Sequence, residues 1–338
     1  LYKLGIDGNS WLPESQISDA HTQTTYVAWI NSIYMGEHGW YNNQDITSIS
    51  DIPVFELEKK YDIFYETIGM DCFSCSHIEN GNINENVKYI AEGSFSYCVD
   101  LNEVVIPDRI GTLGDKIFYQ SINITSITIP CDVSYVGWKY DSSTKMTYGT
   151  FLNVENVKEI RYTPGKTGIM REIEGLKSLE YQNQNTLESV VLEEGIKSIR
   201  KQGFEYCKNL TNVKLPESME SIGEYAFQCT GIKNIDFLKN TKVTEIESGT
   251  FANCNNLVKL ELPSLIYNDD VFYACKNIKE IIFPTDMKKI SDHMFSSCTG
   301  LTELVVPDSI EEIGDHAFYN CSNITSITIP CDVSYVGW

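Results

Sequence analysis

Apolar positions along this chain recur at a spacing that no single helix or strand has. Aligned on the aromatic of the pattern I-G-x-x-A-F-x-x-C-x-N-L, one register recurs at Phe73, Phe95, Phe118, Phe151, Tyr181, Phe204, Phe227, Phe251, Phe272, Phe295 and Phe318. The steps are 22, 23, 33, 30, 23, 23, 24, 21, 23 and 23 residues. An aliphatic residue follows each aromatic by five or six positions, as at Leu101, Ile124, Leu210 and Leu301. A short β-prone run comes next and is usually closed by proline: Val104-Val105-Ile106-Pro107, Ile127-Thr128-Ile129-Pro130, Leu304-Val305-Val306-Pro307.

A unit of this length with so short a strand cannot bury its own apolar face, so successive units must stack. The pattern predicts a β-rich repeat solenoid with little helix, about 23 residues and one short strand per rung, and eleven anchored rungs. Stacking turns each repeat position into a column. Phe95, Phe118, Phe204, Phe227, Phe251, Phe272, Phe295 and Phe318 are expected to form a buried aromatic spine, with cysteine and asparagine columns beside it.

These residues resemble the BspA-type leucine-rich repeat family, whose unit reads approximately L-x-x-I-x-I-P-x-x-V-x-x-I-G-x-x-A-F-x-x-C-x-x. The segment from Leu301 to Cys321, LTELVVPDSIEEIGDHAFYNC, fits it at nearly every defined position. The resemblance covers about Ile46 to Trp338. It implies a leucine-rich-repeat solenoid over residues 46–338, and a bacterial or protist surface protein that attaches to host matrix proteins or other cells.

Departures from the repeat mark insertions. Between Pro130 and Phe151 the chain has ten residues more than between Pro307 and Phe318, which predicts a loop over 138–148. A second irregular stretch, 163–171, carries Pro-Gly and Lys-Thr-Gly punctuation. A third, near 54–66, precedes the first anchor. Residues 1–45 do not repeat and are expected to cap the first rung, with a short amphipathic helix over 22–36. A longer duplication overlies the short one: Asn123–Trp138 and Asn323–Trp338 are the same sixteen residues, NITSITIPCDVSYVGW. The repeat stops mid-unit at Trp338 without a polar cap, so further chain or a neighbour is expected beyond it.

Composition narrows the function classes. With 26 Lys and Arg against 47 Asp and Glu the net charge is −21, and no basic block is present, which argues against nucleic acid or an anionic membrane surface as partner. No apolar stretch is long enough for a membrane-spanning helix. No leader follows Leu1, so any secretion signal is expected to have been removed or to lie outside this sequence.

Candidate chemistry is mostly explained by the columns. The eleven cysteines invite a disulfide framework. However, eight of them share one repeat position or its one-residue slip, and parallel Cβ vectors on stacked rungs suit a bridge poorly. Free buried thiols are expected. Cys72-x-x-Cys75-x-His77 has the look of half a zinc site, but no second ligand pair follows. Carboxylates recur three residues before the anchor, at Glu92, Asp115, Glu224, Asp269, Asp292 and Asp315. They are expected to cap the turn at the aromatic, and Asp269, Asp292 and Asp315 are weak candidates for a cation. No metal or other cofactor is expected. None of the five histidines belongs to a nucleophile, base and orienter set, and no recognised catalytic motif occurs, so no enzyme activity is expected.

The expected function is a non-catalytic, cell-surface or secreted interaction scaffold whose partner is a protein or cell-surface macromolecule. Residues flanking the central aliphatic of each strand should point outward, giving a mixed stripe that includes Ser178/Glu180, Val191, Asn234/Asp236, Ile282 and Val305. An insertion that breaks the repeat is the other place for recognition. Trp138, Tyr140, Tyr148, Val305 and Ile282 are therefore the candidate binding residues. A glycan-binding module, or a segment that spaces or displays a domain elsewhere in a longer chain, is the alternative.

Overall fold

The computed structural model describes residues 42, 47, 67–143, 146–170, 179–180 and 183–337, together with the backbone of Tyr2–Lys3, Trp11–Leu12 and Tyr34–Met35. It divides into two compact units, Leu1–Arg161 with Ile173–Asn183, and Tyr162–Glu172 with Gln184–Trp338. Each is a β-solenoid segment with almost no helix.

In each unit the expected short strands pair in parallel from turn to turn. In the first unit Asn80–Asn82, Glu103–Val105 and Ser126–Pro130 are neighbours, with Gly81, Val104 and Ile127 in register. In the second, Ser189–Leu192 pairs with Asn212–Lys214, Lys259–Glu261 with Glu280–Ile282, and Glu303–Val305 with Ser326–Thr328. The structure adds a two-residue strand that the sequence pattern does not single out, seven to ten residues further along the turn. Thr67–Ile68 pairs with Tyr89–Ile90, Thr112–Leu113 with Tyr135–Val136, and Lys289–Ile290 with Glu312–Ile313, which pairs in turn with Tyr335–Val336. A turn is therefore held to the next on two sides.

The third side holds the aromatic anchor and uses a different ladder. Backbone N–H groups two before the anchor, at it and two after it donate to the next turn. Gly93, Phe95 and Tyr97 bond the carbonyls of Asp115, Ile117 and Tyr119 at 3.3, 2.9 and 2.8 Å. Intervening amides bond within their own turn, as Ser96 does to Gly93. Successive peptide planes can alternate this way because the flanking residues adopt left-handed φ: Lys116 (54°), Gln120 (60°), Asp270 (59°), Ala274 (55°), His293 (52°) and Ser297 (62°). Such conformations cost a non-glycine residue about 1–2 kcal/mol, and each is offset by a hydrogen bond to the adjacent turn.

The spine is present within both units. Phe73, Phe95, Phe118 and Phe151 stack with centroids 5.1–5.5 Å apart. Phe204, Phe227, Phe251, Phe272, Phe295 and Phe318 do the same at 5.5–5.8 Å. All are buried except Phe318, which is half-buried because among the described residues no turn packs on its outer side. Tyr181 lies outside the described residues.

The insertions resolve differently. The 138–148 stretch is an antiparallel hairpin, Trp138–Asp141 against Met146–Gly149, rather than an unstructured loop. Its first pair, Trp138 with Gly149, returns the chain to the turn just before Phe151. The 163–171 stretch re-enters the register at Ile169, which bridges to Ser198. Gly168 makes this possible: a Cβ there would lie 2.0 Å from the Gly195 carbonyl oxygen, and its φ is +66°. The 54–66 insertion and most of the helix expected over 22–36 lie outside the described residues. Tyr34–Met35, at the end of that helix, form a strand instead, pairing with Thr67–Ile68. Together with the Asn42 N–H bonded to Ser74 O and the Glu79 N–H bonded to Thr47 O, both 2.8 Å, this continues the turn register one step before Phe73.

Candidate functional site

Three columns that resemble chemistry turn out to be turn-to-turn fasteners. The cysteine thiols donate to the carbonyl of the preceding anchor: Cys98 to Phe73 O, Cys254 to Phe227 O and Cys275 to Phe251 O, each at 3.1 Å. Ser121 takes the same place and bonds Phe95 O at 2.8 Å, so what the position requires is a small donor. All eleven cysteines are free thiols. Burial pushes Cys98, Cys207 and Cys254 up to about 12, so these thiols hold their protons and are poor nucleophiles and metal ligands.

The asparagine column acts alike. Side-chain amides of Asn123, Asn156, Asn277 and Asn323 donate to carbonyls of the preceding turn at 2.7–2.8 Å. Buried Asn183 does more: its amide donates to Val154 O and Leu179 O, and its oxygen accepts the Val157 N–H.

In the carboxylate column, Asp292 and Asp315 bond across turns rather than capping their own turn as expected. Asp292 Oδ1 accepts the Asp315 N–H of the following turn at 2.9 Å, and Asp315 Oδ1 accepts the Tyr335 hydroxyl at 2.6 Å. Glu92 pairs with Lys116 at 3.1 Å and Glu224 pairs with Lys201, so neighbouring charges are spread between cations and backbone donors. Asp269, Asp292 and Asp315 occupy successive turns, yet among the described residues no group of three or more His, Cys, Asp or Glu side chains could hold a metal ion. At Cys72, Cys75 and His77 the histidine instead faces Asp100, Nδ1 to Oδ2 3.4 Å.

The outward stripe is exposed over residues 259–305 of the second unit and interrupted at three expected positions. Lys259, Glu261, Glu280, Ile282, Glu303 and Val305 are exposed, with Ile282 at 38% and Val305 at 54%. Ile282 and Val305 occupy the same place on successive turns. Beside them Lys259 reaches Glu280 at 3.1 Å and Lys239 reaches Glu261 at 3.6 Å. Three expected outward positions differ. Val191 and Glu180 are buried, Glu180 lying with Leu179 in a helical piece rather than a strand. Asp236 opens a 3-10 turn, Asp236–Leu238, where the Asn234 side chain accepts its N–H at 3.1 Å and so replaces the strand ladder with a local turn.

Trp138, Tyr140 and Tyr148 sit on the hairpin, where the register sets Tyr140 opposite Thr147 and Tyr148 opposite Lys139. Ile282 and Val305 belong to the other unit. The histidines have no joint role in the sequence pattern, whereas the structure stacks the rings of His293 and His316 face to face at 5.1 Å. Their identical offset from Phe295 and Phe318 is the signal that could have found them.

Parallel ladders on two sides, a stacked aromatic spine and donor columns on the third define a leucine-rich repeat scaffold. The profile of the BspA type leucine rich repeat region matches residues 66–169, 174–269 and 266–338, and the chain belongs to that family. Among curated proteins none matches it. Solved structures similar to it include a leucine-rich repeat protein from Bacteroides ovatus, at 22% identity and a TM-score of 0.38, covering 81% of this chain and 60% of that one. This chain thus spans less than two thirds of that protein. A leucine rich cell surface protein from Faecalibacterium prausnitzii is 19% identical with a TM-score of 0.31, covering 76% and 83%. The pneumococcal vaccine antigen PcpA is 18% identical with a TM-score of 0.39, covering 77% and 75%.

Proposed function

We propose that this chain is a non-catalytic interaction scaffold, displayed on a cell surface or secreted, that attaches to a protein or other macromolecule of a host or neighbouring cell. The observation that carries this reading is the division of labour along the repeat. Inward columns repeat a narrow set of residue types for packing and fastening, whereas the outward strand positions over 259–305 carry exposed side chains that vary from turn to turn. A stripe of mixed charge with exposed Ile282 and Val305 suits a macromolecule better than a small ligand, which needs a concave pocket. The hairpin at 138–149 adds the strongest interruption of the repeat, with aromatic residues of the type that anchor interfaces. Membership of the BspA-type family supports the surface assignment.

The test is attachment of the purified chain to cells and to immobilised matrix proteins. Two variants are compared with the parent: Lys139–Tyr148 replaced by a short Gly/Ser link, and Ile282→Lys combined with Val305→Lys. Loss of attachment with an intact fold in either variant locates recognition. Unchanged attachment in both sinks the proposed surfaces, and binding on a glycan array with none to proteins changes the partner class.

A further inference from the structure

We propose that His293 and His316 form a two-imidazole site for a divalent transition-metal ion on the outer surface of the second unit. They stand two residues before Phe295 and Phe318, and their rings stack at 5.1 Å with an interplanar angle of 11°. Their backbones are fixed: both residues are left-handed, with φ 52° and 54°, and the His293 N–H bonds Asp315 O at 2.9 Å. The two imidazoles are thus held side by side before any ion arrives. Tyr319 packs edge-on against the His316 ring at 5.3 Å.

The fold does not ask for histidine here. The same place holds Gly93, Lys116, Gln202, Tyr225, Gly249 and Asp270 on other turns, all with positive φ, so any residue that tolerates that conformation serves. Two imidazoles on consecutive turns exceed the structural requirement. Around them Asp269, Asp270, Asp292 and Asp315 make the surface acidic, and Lys289 is engaged by Glu312 at 2.7 Å. An oxygen of Asp292 already accepts the Asp315 N–H and one of Asp315 the Tyr335 hydroxyl. The carboxylates therefore raise the local cation concentration, and the nitrogens do the ligating.

Two imidazoles with water completing the shell select Zn²⁺, Ni²⁺ or Cu²⁺ over Ca²⁺ and Mg²⁺, which prefer oxygen cages. Turning the two ring edges toward one ion needs side-chain rotation alone, because the backbones are already adjacent.

The experiment titrates the full chain with NiCl₂ and ZnCl₂ by calorimetry, beside His293→Asn, His316→Asn, the double variant and His77→Asn. Asparagine suits the left-handed backbone, as Asn153, Asn253 and Asn320 already do at the corresponding place after the anchor. One equivalent should bind the parent and His77→Asn alike. Each single Asn variant should lose at least ~10-fold in affinity, and the double variant little more, because two ligands act as one site. CaCl₂ and MgCl₂ should not compete. Imidazole ¹⁵N resonances of the parent, shifted by Zn²⁺ at His293 and His316 together, give a readout that does not depend on any variant folding. Single variants that bind as the parent does, loss of binding in His77→Asn, or no zinc-induced shift at the pair would each overturn the site.

Discussion

Residues 123–137 and 323–337 have the same sequence, and toward the preceding turn they make the same contacts. Asn123 donates to Val99 O and Asn323 to Thr299 O, both at 2.7 Å. Ser134 N–H bonds Gly111 O at 2.7 Å and Ser334 N–H bonds Glu311 O at 2.8 Å. Both strand pairings repeat, Ser126 with Glu103 and Ser326 with Glu303, Val136 with Leu113 and Val336 with Ile313. Toward the following turn they differ entirely. The first copy is covered by residues 149–159, with Thr150 N–H bonded to Gly137 O at 2.9 Å, Lys158 N–H to Thr125 O at 2.8 Å, and Phe151 stacked on Phe118. Among the described residues the second copy has no such neighbour. Ile127 is fully buried and Ile327 57% exposed; Ile129 is fully buried and Ile329 42% exposed.

A turn therefore sets its own backbone and its grip on the turn before it, whereas its burial is supplied by its successor. That is the nearest-neighbour energetics expected of a solenoid, read here with the amino-acid sequence held constant.

The largest expected effect separates the two spines. Phe118 is stacked on both sides, by Phe95 and Phe151, whereas Phe318 is stacked on Phe295 alone. Phe118→Ala should cost ~3–5 kcal/mol by leaving a cavity, and Phe318→Ala about half as much, measured as the shift of the urea midpoint. Equal losses would break the comparison.

Next comes alkaline stability. Burial, with a smaller contribution from the charge of Asp132, pushes the Cys131 thiol up to about 12. A thiol raised in the folded state stabilises fully below its unfolded value near 9, and that stability is lost as the pH rises from there toward 12. Over this window Cys131 should remove up to ~1.4 kcal/mol per pH unit. Cys131→Ala should flatten the dependence of the urea midpoint between pH 9 and 11, and an unchanged slope would show that the site is wetter than the structure places it.

The same pair of positions should differ in labelling rate. Cys331 is exposed and Cys131 buried. A thiol reagent followed by mass spectrometry should modify Cys331 in the native protein and Cys131 at least ~100-fold more slowly, since the latter needs local opening.

The smallest effect should be symmetric. Asn123→Ala and Asn323→Ala each delete one bond to the preceding turn, at about 1 kcal/mol apiece. A clear difference between them would mean that contacts to the following turn also act through this column.

Much of the fold was legible because stacking forces each repeat position to face one environment. The Phe register, the free thiols and the asparagine fasteners follow from that rule alone. Three features escaped it. The second strand of each turn is two residues long, too short for any alternation to show. The left-handed positions carry Lys, Gln, Tyr, Cys, His and Ala as well as glycine, because the inter-turn hydrogen bond and not the residue type sustains the conformation. Asp292 looked like a cap for its own turn, yet its partner is the amide of Asp315 one turn later, a choice between two nearby donors that spacing cannot make.

What the sequence by itself determined is the period and the register of the described phenylalanine anchors, because these depend on residues that repeat. The tertiary structure decided how residues 149–159 cover the first of two identical segments, how the insertion at 138–149 closes as a hairpin, and that His293 and His316 stack. Burial and stacking are relations between turns, so the identity of a residue alone does not set them.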